Sequence, residues 1–288
     1  MTDAAAHVPV MLDACVEALE PGPGRWIVDA TFGAGGHARA FLDAGAYVLA
    51  IDRDPGAEAR AAAMRSDRLR FARGDFRDLE RLIAAHDVPP PDGILMDLGV
   101  SSMQLDEGER GFAFRKDGPL DMRMSGQGRS AADLIADSDE AELAALLYRY
   151  GEERHSRRLA RAIVAAREEA PILTTGRLAE VIRAAYPGGP RRDHPARRTF
   201  QALRIVVNDE LGALEEGLEA AARVLAPGGR LAVLAYHSLE DRIVKHFLRA
   251  SSRLAPLTKR PVAASEDEIR VNPRARAAKL RVAEKVAP

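Results

Sequence analysis

An acidic residue and a glycine-rich turn follow an apolar run near the start of the chain. Residues 26–28 are apolar, Asp29 ends that run, and the turn 33–36 comes directly afterwards. Glycines in such a turn allow positive φ angles and a close approach of another group to the backbone. A second apolar run, 47–51, ends in Asp52, roughly 20 residues beyond the first glycine, where a carboxylate can bind two ribose hydroxyls. These residues predict a nucleoside-binding site.

The charge of Asp29 indicates which kind of nucleoside this site takes. A dinucleotide places its pyrophosphate at the bare N–H groups of a helix N-terminus, and a carboxylate at the preceding strand end would repel it. A ligand with a cationic amine and no phosphate fits better. S-adenosylmethionine is such a ligand, with its ribose on Asp52 and its methionine ammonium near Asp29 and the turn.

The elements around this site alternate between strands and helices, as in a Rossmann-type unit. The fourth predicted strand, 93–97, ends in Asp97. In a doubly wound sheet the strand order reverses between the first and fourth strands, and ligands bind outside their carboxyl ends. Asp97 and the segment up to Gln104 should therefore face the same cleft as the turn. Phe76, after the third strand, could stack on an adenine or fill the core.

The alternation stops after Gln104 and resumes near residue 200. Between these points the apolar spacing is typical of helices, which predicts an inserted all-α domain. The expected fold is α/β: a doubly wound, mostly parallel seven-stranded sheet with this insertion. The predicted domains are a discontinuous Rossmann-like domain, 1–105 and 200–288, and a helical domain, 106–199.

Basic and aromatic residues of the insertion suggest an RNA partner. Two arginine pairs, Arg191–Arg192 and Arg197–Arg198, are predicted to lie in loops, where no acidic neighbour on a helix would balance them. Arginine pairs of this kind bind phosphates. Phe112 and Phe114 could hold an extruded base by stacking.

The segment after the fifth strand has two interpretations. Residues 238–241 fit a capping box that starts a helix at Ser238. Because the segment follows a strand beside the cleft, His237 or Ser238 could instead contact the methyl acceptor.

Composition limits the remaining classes. The formal net charge is −1, 47% of the residues are hydrophobic, and no apolar run is long enough to span a membrane. Cys15 stands alone, which excludes an intrachain disulfide and a cysteine-rich metal site. We expect a cytoplasmic enzyme or binding protein without a metal.

Several motifs in one order resemble those of the bacterial 16S rRNA cytosine-N4 methyltransferases, which use S-adenosylmethionine. The resemblance covers nearly the whole chain, and its most distinctive segments are 97–102 (DLGVSS), 118–124 (GPLDMRM), 150–154 (YGEER), 198–202 (RTFQA) and 237–245 (HSLEDRIVK).

This resemblance implies a class I methyltransferase fold and a cytidine of the decoding centre, at the P site of small-subunit rRNA, as substrate. The RNA would be offered on an assembled or nearly assembled subunit, and a homodimer is left open. The implied cofactor contacts are Gly35, Gly36, His37, Asp52, Phe76, Asp97 and Gln104.

The exocyclic amine of cytosine is a poor nucleophile. Methyl transfer to it therefore depends on placing the amine in line with the sulfonium methyl group more than on a strong base. Asp97, or a backbone carbonyl within 98–100, could accept an amine hydrogen and orient the lone pair. Asp121 is the alternative acceptor.

Three other functions compete with this one. Carbon-5 methylation of cytosine needs a cysteine beside the fourth or fifth strand, and Cys15 precedes the first. A nicotinamide dehydrogenase conflicts with Asp29 and with the basic insertion. A non-catalytic RNA-binding module would not need the glycine turn, Asp52 and Asp97 together.

Overall fold

The computed structural model describes residues 8–188 and 194–287. Arg191 and Arg192, which were expected to bind phosphate, lie outside the described residues. The chain divides into two compact units. The sheet unit comprises Met1–Gly99 and Leu211–Pro288, and the helical unit comprises Val100–Glu210.

The sheet unit is built on eight described strands, which all join one sheet. In chain order they are β1 (Trp26–Asp29), β2 (Tyr47–Asp52), β3 (Leu69–Arg73), β4 (Gly93–Asp97), β5 (Arg230–Ala235), β6 (Leu254–Pro256), β7 (Val262–Ala263) and β8 (Lys279–Lys285).

The strand order is β3-β2-β1-β4-β5-β8-β6, with β7 paired to β8. Strands β1 to β5 run parallel, and β8 is antiparallel to β5, β6 and β7. The doubly wound, mostly parallel prediction is confirmed. The sequence predicts a single strand over 257–262, whereas the structure has two short strands, β6 and β7, so the sheet has one strand more than expected. Pro261, which lacks an N–H to extend a ladder, directly precedes β7.

The reversal of strand order lies between β1 and β4, so the carboxyl ends of β2, β1 and β4 are neighbours. Asp29 is in register with Ala50 of β2 and with Leu95 of β4. This arrangement puts the acidic ends of all three strands at one edge of the sheet, as the sequence predicted.

Both faces of the sheet are covered, which is why its strands are almost continuously apolar. Alternate residues of each strand point to opposite faces: Ile94 and Met96 belong to one core, and Leu95 to the other.

The described helices follow the strands in the expected alternation and then form the insertion. In chain order they are α1 (Leu12–Leu19), α2 (Gly36–Asp43), α3 (Ala57–Ala63), α4 (Leu79–Ala85), α5 (Ser102–Asp106), α6 (Ala131–Asp137), α7 (Glu140–Gly151), α8 (Ser156–Glu169), α9 (Thr175–Ala185), α10 (Arg197–Asn208), α11 (Glu210–Val224), α12 (Ser238–Ala250) and α13 (Glu266–Val271). None of these described helices has the length and apolar character that a bilayer crossing requires.

The helical unit has a core of its own, in which α7 packs against both α8 and α10. Helix α10 was not predicted, and the expected boundary at 199/200 would divide it. The observed boundary lies after Glu210, because Phe200 and Leu203 of α10 are buried in the helical core. The other boundary lies after Gly99 rather than after residue 105.

Candidate active site

The turn after β1 is fixed to the ends of two neighbouring strands. The N–H of Ala30 donates to the carbonyl of Leu95 at 2.9 Å, and the N–H of Phe32 donates to that of Ile51 at 3.0 Å. Arg60 adds a third restraint, since its Nε donates to the carbonyl of Gly33 at 2.8 Å. The turn is therefore held in place by the protein itself.

Gly35 and Gly36 are required by packing within the protein. Gly35 has φ +81°, and a Cβ there would lie 2.1 Å from Cε of Met64 and 2.7 Å from Cζ of Phe32. A Cβ on Gly36 would lie 2.3 Å from Cγ of Pro9. These contacts account for both glycines without a ligand, so the glycine turn alone does not establish a cofactor site.

Asp52 ends β2 and holds the turn in a defined position. Its Oδ2 accepts the N–H of Gly33 at 2.7 Å, and its Oδ1 accepts the N–H of Asp54 at 2.8 Å. Burial raises the pKa of the carboxyl, although the two N–H groups oppose that shift. Each carboxylate oxygen keeps a second lone pair, which is what a ribose diol would need.

Asp29 ends β1 and is the most deeply buried of the three strand-end carboxylates. The residue is 1% exposed. Its Oδ1 accepts the N–H of Thr31 at 3.3 Å, and its buried Oδ2 has no hydrogen-bond partner among the described residues. Burial, and then repulsion from Asp97 and Asp52, raise the pKa of Asp29 to about 7, although the backbone N–H groups of Thr31 and Ala38 oppose that shift. A buried, unpartnered carboxylate oxygen is the kind of group that a cationic ligand would satisfy.

Asp97 ends β4 and is positioned by two hydroxyl groups. Its backbone N–H donates to Oγ1 of Thr31 at 2.7 Å, and the hydroxyl of Tyr236 donates to its Oδ1 at 2.6 Å. Burial raises the pKa of Asp97, while His37 and Tyr236 lower it. The side chain is 24% exposed, so part of the carboxylate remains accessible.

His37 lies beneath Asp97 in the first turn of α2. Its Nε2 donates to the carbonyl of Val10 at 3.2 Å, and its Nδ1 lies 3.8 Å from Oδ2 of Asp97. Burial lowers the pKa of His37, which favours the neutral ring, and the Val10 contact assigns its proton to Nε2. With its side chain 7% exposed, against 24% for Asp97, His37 is the less accessible of the two residues to a ligand.

Phe76 packs against α11 in the sheet unit. A Cβ added to Gly217 would lie 2.5 Å from Cδ2 of Phe76, and the ring also contacts the sheet core. Phe76 therefore fills core space, one of the two expected roles. Its ring is only partly buried, and adenine stacking remains a prediction.

Two predicted site residues lie in the helical unit. Gln104 closes a capping box on α5, because its Oε1 accepts the N–H of Ser101 at 3.0 Å. Asp121 pairs with Arg123 through contacts of 2.6 and 3.0 Å. Burial opposes ionisation of Asp121, but the hydrogen bonds from Arg123 outweigh it and lower its pKa.

The two phenylalanines expected to stack on a base have different environments in the helical unit. Phe112 is 6% exposed in the core, with the guanidinium of Arg110 over its ring at 5.7 Å. This burial argues against base stacking by Phe112. Phe114 is half-buried, stacks on His194 at 4.4 Å between ring centroids, and meets Phe200 edge-on at 5.1 Å.

Arg197 and Arg198 were expected in a loop, and that prediction is wrong. They form the first turn of α10, whose remaining residues are held by the helical core. Arg198 also contacts the protein, since its Nη1 donates to the carbonyl of Glu152 at 2.9 Å.

The capping interpretation of the segment after β5 is correct, with His237 rather than Ser238 at the cap. His237 accepts the N–H of Glu240, whose Oε2 accepts the N–H groups of Tyr236 and His237 at 2.7 and 3.1 Å. The cap precedes Ser238 because β5 already ends at Ala235.

Two residues that organise the site were not predicted. Thr31 lies inside the turn, and Tyr236 follows the last residue of β5, although the sequence predicts a strand over 230–236. A hydroxyl directly beyond a strand end was the only available signal for either residue.

The comparisons agree on one family. The chain matches the model of the MraW methylase family over residues 4–286. It is 60% identical to the ribosomal RNA small subunit methyltransferase H of Deinococcus radiodurans over 282 residues, which cover 98% of this chain and 90% of that protein. The protein of the same name from Deinococcus deserti is 56% identical, over 97% of this chain and 93% of its own length. The chain therefore belongs to the MraW methylase family.

Proposed function

We propose that this chain transfers the methyl group of S-adenosylmethionine to the N4 amine of a decoding-centre (P-site) cytidine in 16S rRNA. Its methylase family and the names of its relatives support methyl transfer to small-subunit rRNA. The observation that carries the cofactor assignment is the buried carboxylate of Asp29, whose Oδ2 has no partner among the described residues.

The acidic strand ends fit S-adenosylmethionine in charge and in hydrogen-bonding capacity. The methionine ammonium would bind Asp29, and the ribose hydroxyls would use the remaining lone pairs of Asp52. When bound, the cofactor supplies an electrophilic methyl group. A dinucleotide fits poorly, because the carboxylates of Asp29 and Asp97 would repel its pyrophosphate.

Asp97 is the best acceptor for a hydrogen of the cytosine amine. Its carboxylate is partly accessible and is held by the hydroxyl of Tyr236 at 2.6 Å. Because burial raises its pKa, it is also more basic than an ordinary aspartate. Asp121 is less suited, because Arg123 lowers its pKa and occupies both of its oxygens.

Carbon-5 methylation of cytosine would require a reactive thiolate. Cys15 is fully buried, and burial, reinforced by Asp97 and Asp29, raises the pKa of its thiol. The group therefore stays protonated and inaccessible. We assign it to the core, and Cys15→Ala should leave the product unchanged.

The helical unit is proposed to recognise rRNA, with an assembled or nearly assembled small subunit as the partner. Such a partner would place the reaction in the cytoplasm. Arg197, Arg198, Phe114, His237 and Ser238 are the proposed RNA contacts among the described residues.

Nucleoside analysis of rRNA tests the proposal. Small subunits lacking the modification are incubated with the protein and methyl-labelled S-adenosylmethionine, and their 16S rRNA is digested. We expect labelled N4-methylcytidine at one site, and almost none with Asp97→Ala. Labelled 5-methylcytidine, or labelled protein with unlabelled RNA, would overturn the proposed function.

A further inference from the structure

Helix α8 begins with positive charges, which the N-terminus of a helix does not favour. Arg157 and Arg158 lie in its first turn, which contains no acidic residue, and its last turn holds Arg167 as well as Glu168 and Glu169. A helix prefers negative charge near its N-terminus and positive charge near its C-terminus. The N-cap residue, His155, makes no side-chain capping bond that would compensate. Folding of α8 does not explain these arginines.

The arginines at the start of α8 are exposed and without partners. Arg154, Arg157 and Arg158 are exposed, and within the described residues no hydrogen bond or ion pair holds their guanidinium groups. Arg157 is also four positions from Arg161, and like charges at this spacing repel on a helix. The nearest acid in sequence, Glu153, is fully buried and accepts the N–H of His155 at 2.9 Å.

Helix α10 starts in the same way and at the same place in the helical unit. Its first turn contains Arg197 and Arg198, no acidic residue and no side-chain cap. Arg198 donates to the carbonyl of Glu152 at 2.9 Å, and Gln201 donates to that of Tyr150 at 3.1 Å. The first turn of α10 therefore lies against the segment that leads from α7 into α8.

We propose that Arg154, Arg157, Arg158 and Arg198 form one surface that binds successive backbone phosphates of the rRNA. We call these four residues the arginine surface. Exposed guanidinium groups that form no ion pair within residues 8–188 and 194–287 match the charge and the bidentate geometry of phosphate. The proposal rests on the proposed function for the identity of the RNA, and it assigns binding rather than chemistry to these residues.

The test removes two charges that form no hydrogen bond or ion pair with the described residues. Arg157→Gln combined with Arg158→Gln is compared with a matched control, Arg129→Gln combined with Arg177→Gln. The control arginines lie in the same unit and pair with acids, Arg129 with Asp137 at 2.9 Å and Arg177 with Glu180 at 4.0 Å. Binding of a 16S rRNA transcript is measured by fluorescence anisotropy as a function of salt.

Each lost phosphate contact should lower the salt slope by about one and the affinity at 0.1 M salt by about five- to tenfold. The Arg157/Arg158 variant should therefore lose about two units of slope and about fiftyfold in affinity, while the control keeps both. Its melting temperature should stay equal or rise, because the removed charges oppose the helix dipole. A lower melting temperature with unchanged RNA binding would show that these arginines are structural, and would overturn the proposal.

Two further outcomes separate this proposal from the proposed function. If wild-type protein leaves rRNA unmethylated but the variant still loses salt slope, the function fails and the arginine surface stands. If wild-type protein methylates rRNA and the slopes are equal, the surface fails and the function stands. Weaker binding to assembled subunits with unchanged binding to the transcript would indicate a ribosomal protein as partner, and would also overturn the surface.

Discussion

Three carboxylates at neighbouring strand ends, that of Asp29 buried and those of Asp52 and Asp97 partly buried, have three different environments. Asp52 accepts two backbone N–H groups, Asp97 accepts a tyrosine hydroxyl, and one oxygen of Asp29 has no partner among the described residues. Burial raises the pKa of all three. Mutual repulsion adds to the shift at Asp29, so a bound cation would relieve an unfavourable interaction that the free protein retains.

The ribose assignment of Asp52 predicts a selective loss of cofactor affinity. Asp52→Ala removes hydrogen bonds to a charged acceptor, worth about 1.5–3 kcal/mol, so S-adenosylmethionine should bind roughly ten- to a hundredfold more weakly by isothermal titration. The exposed Asp43 provides the control, since Asp43→Ala also removes one carboxylate but at a position away from the site. Equal affinities of the two variants would contradict the assignment.

The ammonium assignment of Asp29 predicts a pH-dependent affinity. Because its pKa is about 7 in the free protein, the carboxyl must lose a proton to bind the cation at lower pH. The affinity should then fall by up to about tenfold per pH unit below 7, and Asp29→Asn should flatten this profile. A wild-type affinity that is constant between pH 5.5 and 8 would contradict the assignment.

Stability and cofactor affinity should depend on pH in opposite ways. The affinity falls as the pH decreases below 7, whereas the stability of the unliganded protein should fall as the pH increases towards 7. The Asp29 carboxyl ionises near pH 3.8 when unfolded and near 7 when folded. Its contribution to stability is thus greatest at low pH and is lost as pH rises through this interval. Bound cofactor should restore the stability that ionisation of Asp29 removes.

Tyr236 is predicted to position Asp97 for the reaction. Tyr236→Phe removes the 2.6 Å hydrogen bond, so the pKa of Asp97 should rise and its carboxylate should lose orientation. We expect kcat to fall about tenfold, with its acid limb moved to higher pH and the KM for cofactor little changed. Tyr47→Phe, on an exposed ring elsewhere in the sheet unit, is the control. An unshifted pH profile of kcat would show that Tyr236 only packs in the protein and does not position Asp97.

At the scale of elements, predictability followed the local signals in the sequence. The sequence predicts a helix over 175–185 with Thr174 as its cap, and α9 has these bounds because Thr174 accepts the N–H of Arg177. Helix α10 lacks such signals: Ala196 is its N-cap, and Asp209 rather than glycine takes the left-handed conformation at its end. Tertiary packing, which a pattern does not reveal, decides this helix.

The contrast between local sequence signals and tertiary contacts also separates the predicted from the unpredicted residues of the site. Asp29, Asp52 and Asp97 could be located because parallel strands bring their carboxyl ends together. The contact of Tyr236 with Asp97 joins residues 139 positions apart, and it depends on which way a side chain points beyond a strand end. No sequence period specifies that direction.

The start of α2 provides a prediction at the element scale. Gly35→Ala forces a side chain into a positive φ and to within 2.1 Å of Met64, so the protein should lose about 1–3 kcal/mol of stability. Adding Met64→Ala should recover only part of this loss in thermal unfolding. It removes the contact with Met64, but the contact with Phe32 and the backbone strain remain. Gly22→Ala, which meets nothing within 4 Å, should be nearly neutral. Similar melting temperatures for the Gly35 and Gly22 variants would contradict this account.

At the scale of the whole molecule, the two units do not share a core. The cores on the two faces of the sheet draw their described residues from 10–98 and 214–283. The helical core draws its described residues from 100–207. Because each unit buries its own apolar surface among the described residues, the insertion is not needed to complete the sheet.

This independence predicts that the sheet unit folds without the insertion. Replacing Val100–Glu210 by a short Gly/Ser linker should leave one cooperative thermal transition, because the removed residues supply none of the described sheet-core residues. The shortened chain should still bind S-adenosylmethionine, about tenfold more weakly if Gln104 contributes one hydrogen bond to it. It should not bind rRNA with a steep salt dependence, because it lacks the arginine surface. A shortened chain that folds yet keeps the full salt slope would move rRNA recognition to the sheet unit, and a chain without a transition would make the insertion part of the fold.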